Sequence, residues 1–286
     1  MLNTQKLNAI ATNPWFLIVS GISSIAAFMW YVYDKYQVTP PSVTQAIVFS
    51  IALLIFIIGF IYSIQVRTEN IALRESSKIL YEINKIYQYN LHEEFFGSDP
   101  VTNPKTLLAR EELVLKGICQ RISGIFSRII NRNCMVTLKI VTKDDEDDKF
   151  YAHTYVRSQE LCQRDSHGRI KFVVGTGENT GFDQAIAKRP DGLPSHFFSP
   201  DLRTHEGGYS NQRQHYDLYY RSTIVVPVRV NDENKGYDEM IGFLCVDTMS
   251  INRLNNSNHL FLLSALASQM YNFISLMRGR YIVLVG

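Results

Sequence analysis

Charge is nearly missing from the first 66 residues, where Lys6, Asp34 and Lys35 are the only ionised side chains. A water-facing surface cannot be built from so few charges. The whole chain also lacks an excess of either sign: 29 Lys and Arg stand against 27 Asp and Glu, a net +2. That balance argues against a strongly basic nucleic-acid binder, and 46% hydrophobic residues argue against a disordered chain. Four cysteines in 286 residues are too few for a disulfide scaffold. The average of 20% charged residues pools two regions, because the 220 residues after Val66 carry 53 charges.

Two uncharged runs, Trp15–Tyr33 and Ala46–Ile64, are long enough to cross a bilayer, which takes about 20 apolar residues. Asp34, Lys35, Pro40 and Pro41 separate them, so a transmembrane hairpin is expected over residues 1–66. Trp15, Trp30, Tyr31, Tyr33 and Tyr36 stand where an interfacial aromatic belt belongs. A second span follows the first at once, and only Lys6 precedes it, which favours a retained anchor over a cleaved signal. Arg67, Arg74 and Lys78 outweigh the single Lys35 of the connection, placing both termini in the cytoplasm of an inner membrane. Cys119, Cys134, Cys162 and Cys245 are then reduced thiols. No ionisable residue marks an ion path inside the spans, while Gly21, Ser23, Ser24, Ala26 and Ala27 offer a face for close helix approach.

Residues 67–96 contain neither Gly nor Pro, so the helix leaving the membrane is expected to continue as a linker over 67–103. Leu73, Ser76, Leu80, Ile83, Tyr87 and Asn90 follow 3-4 spacing, the seam of a dimeric signalling helix. Pro100, Asn103 and Pro104 end it and open a cytosolic domain, 104–286.

In that domain Asn103-Pro104 predicts a capped helix start, and Leu115, Ile118, Ile122, Ile125 and Ile129 form one apolar stripe ending near Asn131. Strands are expected over 134–142, where Val136, Leu138 and Ile140 alternate with Thr137 and Lys139, and over 150–157, 169–174, 223–230 and 240–246. Pro227 places its strand near an edge or a bulge. A short helix near 180–188 is capped by Asn179, and a last helix spans 258–277 with Leu263, Leu266, Met270, Phe273 and Met277 on one stripe. The final YIVLVG reads as an edge strand or an assembly element. The element order indicates an α+β fold, an antiparallel sheet with helices on one face.

YYRSTIVVPVRV, EMIGFLCVDTMS and the amphipathic LFLLSALASQMYNFISLM together resemble the C-terminal half of a GAF domain, over roughly 105–278. The resemblance implies a small-molecule pocket between the sheet and the irregular connection 189–220. Of the Asn, Lys, Phe, Asp and Glu signature of nucleotide-binding members, Asn179, Phe182 and Asp183 are at best a fragment. The connection itself has the composition of a lid: Phe197, Phe198, Tyr209, Tyr216, Tyr219 and Tyr220 supply stacking faces, and Arg203, Arg213 and Arg221 supply planar forks for phosphate or carboxylate. The candidate ligand-binding set is Phe198, Arg203, Tyr209, Tyr216, Tyr220, Arg221 and Asp247.

Other chemistry is not evident. Neither dinucleotide nor phosphate-loop spacing surrounds Gly175 and Gly177, which read as a turn. His196, His205 and His215 lack zinc spacing, and Asp144–Asp148 lacks the glycine and distal glutamate of a calcium loop. No nucleophile motif is present, and no catalytic domain follows, so neither an enzyme, a metal nor a cofactor is expected. The layout is similar to membrane effectors of bacterial anti-phage defence. A membrane-anchored sensor of a nucleotide or other small molecule, homo-oligomeric and acting on the bilayer through its hairpin, is the favoured reading. A dimerising scaffold that recruits a cytosolic partner is the alternative, and an enzyme built on the Arg/His/Tyr-rich loop is a third. Direct nucleic-acid binding is not expected.

Overall fold

A computed structural model of the chain describes residues 31, 34–35, 43–97, 101–159, 171–187, 195–213, 215–232, 237–255 and 257–285. The expected first span lies outside them except for Tyr31, as do Cys162 and most of the expected hairpin connection. The chain divides into two compact units, Met1–Leu73 and Arg74–Gly286.

Helix α1, Val43–Phe96, covers the second uncharged run and the expected linker as far as Phe96 without a break. In its first half Leu53, Phe56, Ile57, Ile58, Ile61, Tyr62 and Ile64 are exposed. Its last part belongs to the second unit, where Ile79, Ile83 and Tyr87 are buried in the core and the Tyr87 ring lies 5.1 Å from that of Phe273. Two residues of the expected dimer seam, Ile83 and Tyr87, are therefore covered by the chain's own domain. Glu94, fully buried, holds this end between Arg110 at 3.4 Å and Arg280 at 3.7 Å.

Helix α2 spans Pro104–Ile130, and both ends follow from local chemistry. The Asn103 side chain accepts from the Lys105 N–H at 2.9 Å, Pro104 needs no partner in the first turn, and Asn131 closes the helix in the left-handed conformation. Strands β1 (Cys134–Lys143), β2 (Phe150–Arg157) and β3 (Phe172–Val174) follow, then helix α3 (Thr180–Ile186) and strands β4 (Phe197–Ser199), β5 (Ser222–Asp232) and β6 (Tyr237–Thr248). Helix α4 is Asn258–Val285. The six strands form one antiparallel sheet in the order β3-β2-β1-β6-β5-β4. β4 pairs only Thr223 to Val225 of β5, so Pro227 sits where β5 has no second neighbour, next to a register shift at Val228/Arg229.

The α+β class stands, but the sheet is covered on both faces. Val136, Leu138, Ile224, Val226, Leu244 and Val246 pack into a core with α1, α2 and α4. Their neighbours in sequence, among them Val225, Phe243 and Cys245, face a second cluster with Phe172, Phe182, Phe197 and Tyr220. Helices on one face alone is thus corrected: α3 and the connection after it cap the other. That connection also contains β4 and short turns of helix at Leu202–Thr204 and Tyr216–Leu218, which its lack of periodicity conceals.

The last helix runs past Met277, so YIVLVG is not an edge strand: Tyr281 and Leu284 pack on the core, while Ile282 and Val283 are exposed. Among the described residues, α4 is the one helix long and apolar enough to cross a membrane over Asn258–Leu284, with mean hydropathy 1.4. Leu263, Leu266, Met270, Phe273, Ile274 and Met277 are each at most 1% exposed inside the domain, which makes it a core helix. Cys119, Cys134 and Cys245 are buried and in no disulfide, and burial pushes the Cys119 and Cys134 thiols up to about 12.

Gly242 sits opposite Ile140 in the β1–β6 ladder, and a Cβ there would collide with the Lys139 carbonyl oxygen at 1.9 Å. Gly242→Ala is expected to cost about 2–4 kcal/mol, the range of a backbone clash in a core. Urea unfolding of the detergent-purified chain measures it; an unchanged midpoint would show that β1 and β6 separate freely.

Candidate functional site

The second face of the sheet is not wholly apolar. On β1, Thr137 and Lys139 project away from the helical core, and on β6 and β5 Asp247 and Thr223 do the same. Each is at most 5% exposed. Together with Cys245 and Val225 they form the floor of a small cavity. Phe172, Asn179, Gly181 and Phe182 wall it on one side, and Tyr209, Asn211 and Tyr220 close it. Its volume of about 30 Å³ holds roughly two waters.

A buried ammonium and a buried carboxylate in one cavity are costly to desolvate, and each is held by the surrounding fold. Lys139 Nζ donates to Thr154 Oγ1 at 3.1 Å and lies 4.2 Å from the Phe172 ring centroid, with Phe182 at 5.7 Å. Asp247 Oδ1 accepts from the Thr223 hydroxyl at 2.7 Å. These two strand residues face each other in the β5–β6 register. Phe182 in turn stacks on Phe243, 4.8 Å between centroids, and meets Phe172 edge-on.

The closing side is a polar knot. Asn211 Nδ2 donates to the phenol oxygens of Tyr209 at 2.9 Å and Tyr220 at 2.8 Å, and these oxygens lie 3.4 Å apart. Burial pushes the Tyr209 phenol up to about 12, with the charge of Asp247 adding to the same direction. Gly207 and Gly208 precede the knot with φ of 81° and 82°, a backbone that residues with a Cβ rarely adopt.

Asn179 ties this segment down. Instead of capping α3 with its side chain, it donates to the Val173 carbonyl at 2.8 Å and to Gln212 Oε1 at 3.0 Å, and accepts from the Gln212 N–H at 3.1 Å. Asp183 accepts from the N–H groups of Gly175 and Asn179, so Gly175 and Gly177, both at φ 83°, do form a turn. Gln212 also donates to Glu178.

Of the seven candidate residues, the structure brings three to the cavity: Tyr209, Tyr220 and Asp247. Tyr216 stands behind them, its ring 4.8 Å from Tyr209 and 5.9 Å from Tyr220. Phe198 packs against the helical core, on the opposite face from Phe197. Arg203 is exposed and paired with Asp217 at 3.5 Å. Arg221 does not line the cavity; its backbone bridges Leu202 and Thr248. Lys139, Thr137, Asn211 and Thr223 line it without having stood out in the sequence as candidates, and Asn179 and Phe182 of the signature fragment line it as well. A lysine alternating with apolar residues in an inner strand is the available signal for the first.

No family model and no curated protein matches the chain. Solved structures do. A type II free methionine-R-sulfoxide reductase from Thermoplasma acidophilum is 15% identical, with 59% of this chain and 94% of that one covered and a TM-score of 0.39. The GAF domain of a phosphoenolpyruvate-protein phosphotransferase from Coxiella burnetii is 13% identical, with 62% and 96% covered and a TM-score of 0.39. A free methionine-R-sulfoxide reductase from Neisseria meningitidis, in complex with its substrate, is 16% identical, with 62% and 91% covered and a TM-score of 0.36. The chain is thus similar, at low identity and over about 60% of its length, to GAF domains and to these reductases. The expectation that it is not an enzyme is corrected by the same finding: reductases stand among the matched chains.

Asn179→Ala removes the three hydrogen bonds that tie Gln212 and β3 together in a buried site. It is expected to destabilise by about 1–3 kcal/mol and to speed amide exchange in 205–213 ahead of the rest of the domain. Hydrogen-exchange mass spectrometry distinguishes that local loosening from a uniform effect.

Proposed function

We propose that the chain is a membrane-anchored small-molecule sensor. The observation that carries the sensing half is the buried Lys139 and Asp247 sharing one cavity with the Tyr209, Asn211 and Tyr220 knot. A domain stabilised only by packing gains nothing from two desolvated charges, whereas a binding site uses them to orient a ligand. Because Arg203 and Arg221 stand off the cavity, the phosphate forks of a nucleotide site lose their support, and the ligand class broadens to a small molecule.

The anchoring half rests on the nearly uncharged residues 1–66 and on the exposed apolar side chains of α1 between Leu53 and Ile64. In this reading residues 1–66 form two spans of an inner membrane with both termini cytoplasmic. α1 connects the second span to the domain core, where Ile83 and Glu94 hold it, so a change in the domain has a mechanical route to the span. Association of several copies and perturbation of the bilayer, as in anti-phage effectors, is the output proposed. A scaffold that dimerises and recruits a partner is the second reading, favoured by exposed Leu113, Phe261, Leu276, Ile282 and Val283 on the helical layer.

Expressed in bacteria, the full chain is expected in the membrane fraction and resistant to alkaline carbonate, and its induction with the activating ligand depolarises the cells. A potentiometric dye reads the second effect. Soluble recovery of the full chain would remove the anchor; retained potential with the cavity occupied would remove the bilayer output and leave the scaffold.

A further inference from the structure

The fold sorts charge along the length of the sheet. We infer that one end of the domain, built from the 131–133 turn and the 249–255 connection, docks on anionic lipid headgroups. The inference rests on the membrane-anchored reading and adds the surface by which the domain meets the bilayer.

Contacts within the second unit show which elements share this end. Glu82 of α1 pairs with Arg121 of α2 at 3.2 Å, and Glu94 with Arg110 at 3.4 Å, so these two helices run antiparallel. Tyr87 meets Phe273 and Glu94 meets Arg280, so α4 runs parallel to α1. The unit's first residue, Arg74, therefore lies at the same end as the C-terminus of α2 and the N-terminus of α4. The rings of Phe126 and His259, 5.8 Å apart, join the last two. β1 starts here as well: the Ser123 hydroxyl donates to the Cys134 carbonyl at 2.6 Å, and Cys134 pairs with Thr248, the last residue of β6.

The two segments that build this end are free of acid. Residues 113–143 and 248–286 contain neither Asp nor Glu. Arg132 and Arg253 are exposed there beside apolar Met249 and Ile251, and α1 adds exposed Arg74 and Lys78 on either side of Glu75 in the sequence. The neighbouring connection, joined through the Asn252 N–H to the Pro200 carbonyl at 2.9 Å, brings two acids that Arg203 answers. Asp201 accepts from the Arg203 N–H at 3.1 Å, and Asp217 pairs with its guanidinium at 3.5 Å. At the other end, about 30 Å away along β1, Asp144–Asp148 outnumber the Lys143, Lys149 and Lys171 that pair with them.

An anionic surface attracts the first end and repels the second, so it orients the domain. Each arginine near such a surface is worth about fivefold in binding, and side chains such as Met249 and Ile251 suit the boundary between headgroups and acyl chains. The tether is short. Eight residues lead from Val66, where the nearly uncharged stretch ends, to Arg74, and they span about 12 Å as helix and about 28 Å fully extended. A second copy is the rival occupant, but a two-fold contact sets the same basic patch against itself.

The test uses the full chain reconstituted into nanodiscs of phosphatidylcholine alone or mixed with phosphatidylglycerol, read by hydrogen-exchange mass spectrometry. Amides of 249–255 are expected to exchange about fivefold or more slowly in the anionic discs, and the difference to vanish at high salt. Arg132→Glu combined with Arg253→Glu is expected to remove the protection. Lys143→Glu combined with Lys149→Glu, the same change of charge at the far end, is expected to keep it. Equal exchange in the two lipids overturns the inference and leaves the anchor standing; equal protection in both lipids and in detergent overturns it in favour of a second copy. A chain that does not enter discs removes the anchor, and flotation with vesicles of the same two compositions then decides the surface. Capture by the anionic vesicles alone, abolished by the Arg132 and Arg253 reversals, upholds it; absence of capture overturns it.

Discussion

The sheet is buried twice, and most of what is distinctive about this domain follows from that constraint. β1, β5 and β6 have helices against one face and α3 with its following connection against the other, so side chains on either side of these strands leave water. Toward the helices the chain places Val136, Leu138, Ile224, Val226, Leu244 and Val246, each worth about 1.5–3 kcal/mol on full burial. Toward the other side it places Thr137, Lys139, Thr223 and Asp247 among aromatics. The first face holds the domain together, and that surplus is what allows the second to carry polar groups that oppose folding.

Legibility in the sequence follows the same division. The ends of α2 are readable because Asn103, Pro104 and Asn131 act within one turn of themselves, and the β2 boundaries because a carboxylate-rich tip and an alternating run mark them. The helical core is readable from periodicity. The cavity is not, because alternation has two meanings: a polar residue every second position faces either water or a second, polar interior. Thr137 and Lys139 look like an outer face, and only the long-range placement of Phe172 and Phe182 over them decides otherwise. The nearly unbroken apolar run of β6, Ile241 to Val246, is the local hint that both faces are covered.

Composition serves the lid less well than geometry. Six aromatics and three arginines in one irregular stretch look interchangeable until registers are known. Phe197 and Phe198 are adjacent, yet strand pleating sends one to each side of the sheet. Tyr209 and Tyr220 reach the cavity because Asn211 gathers their hydroxyls, contacts that span 2 and 9 residues of chain and have no periodic signature. At the other end of the chain, β-prone YIVLVG is helical through Val285 because Tyr281 and Leu284 find the core, so docking overrides propensity.

Double burial also couples the two faces of the sheet. The helical layer that receives α1 and the strands that floor the cavity are two faces of one set of backbones: Leu138 packs toward α1, α2 and α4, and Lys139 beside it faces the cavity. Lys139 and Asp247 stand on strands whose opposite face grips those helices, without any intervening loop. Glu94 makes that grip specific, since a fully buried carboxylate set between Arg110 and Arg280 tolerates a change of partner far less than an apolar contact of the same size.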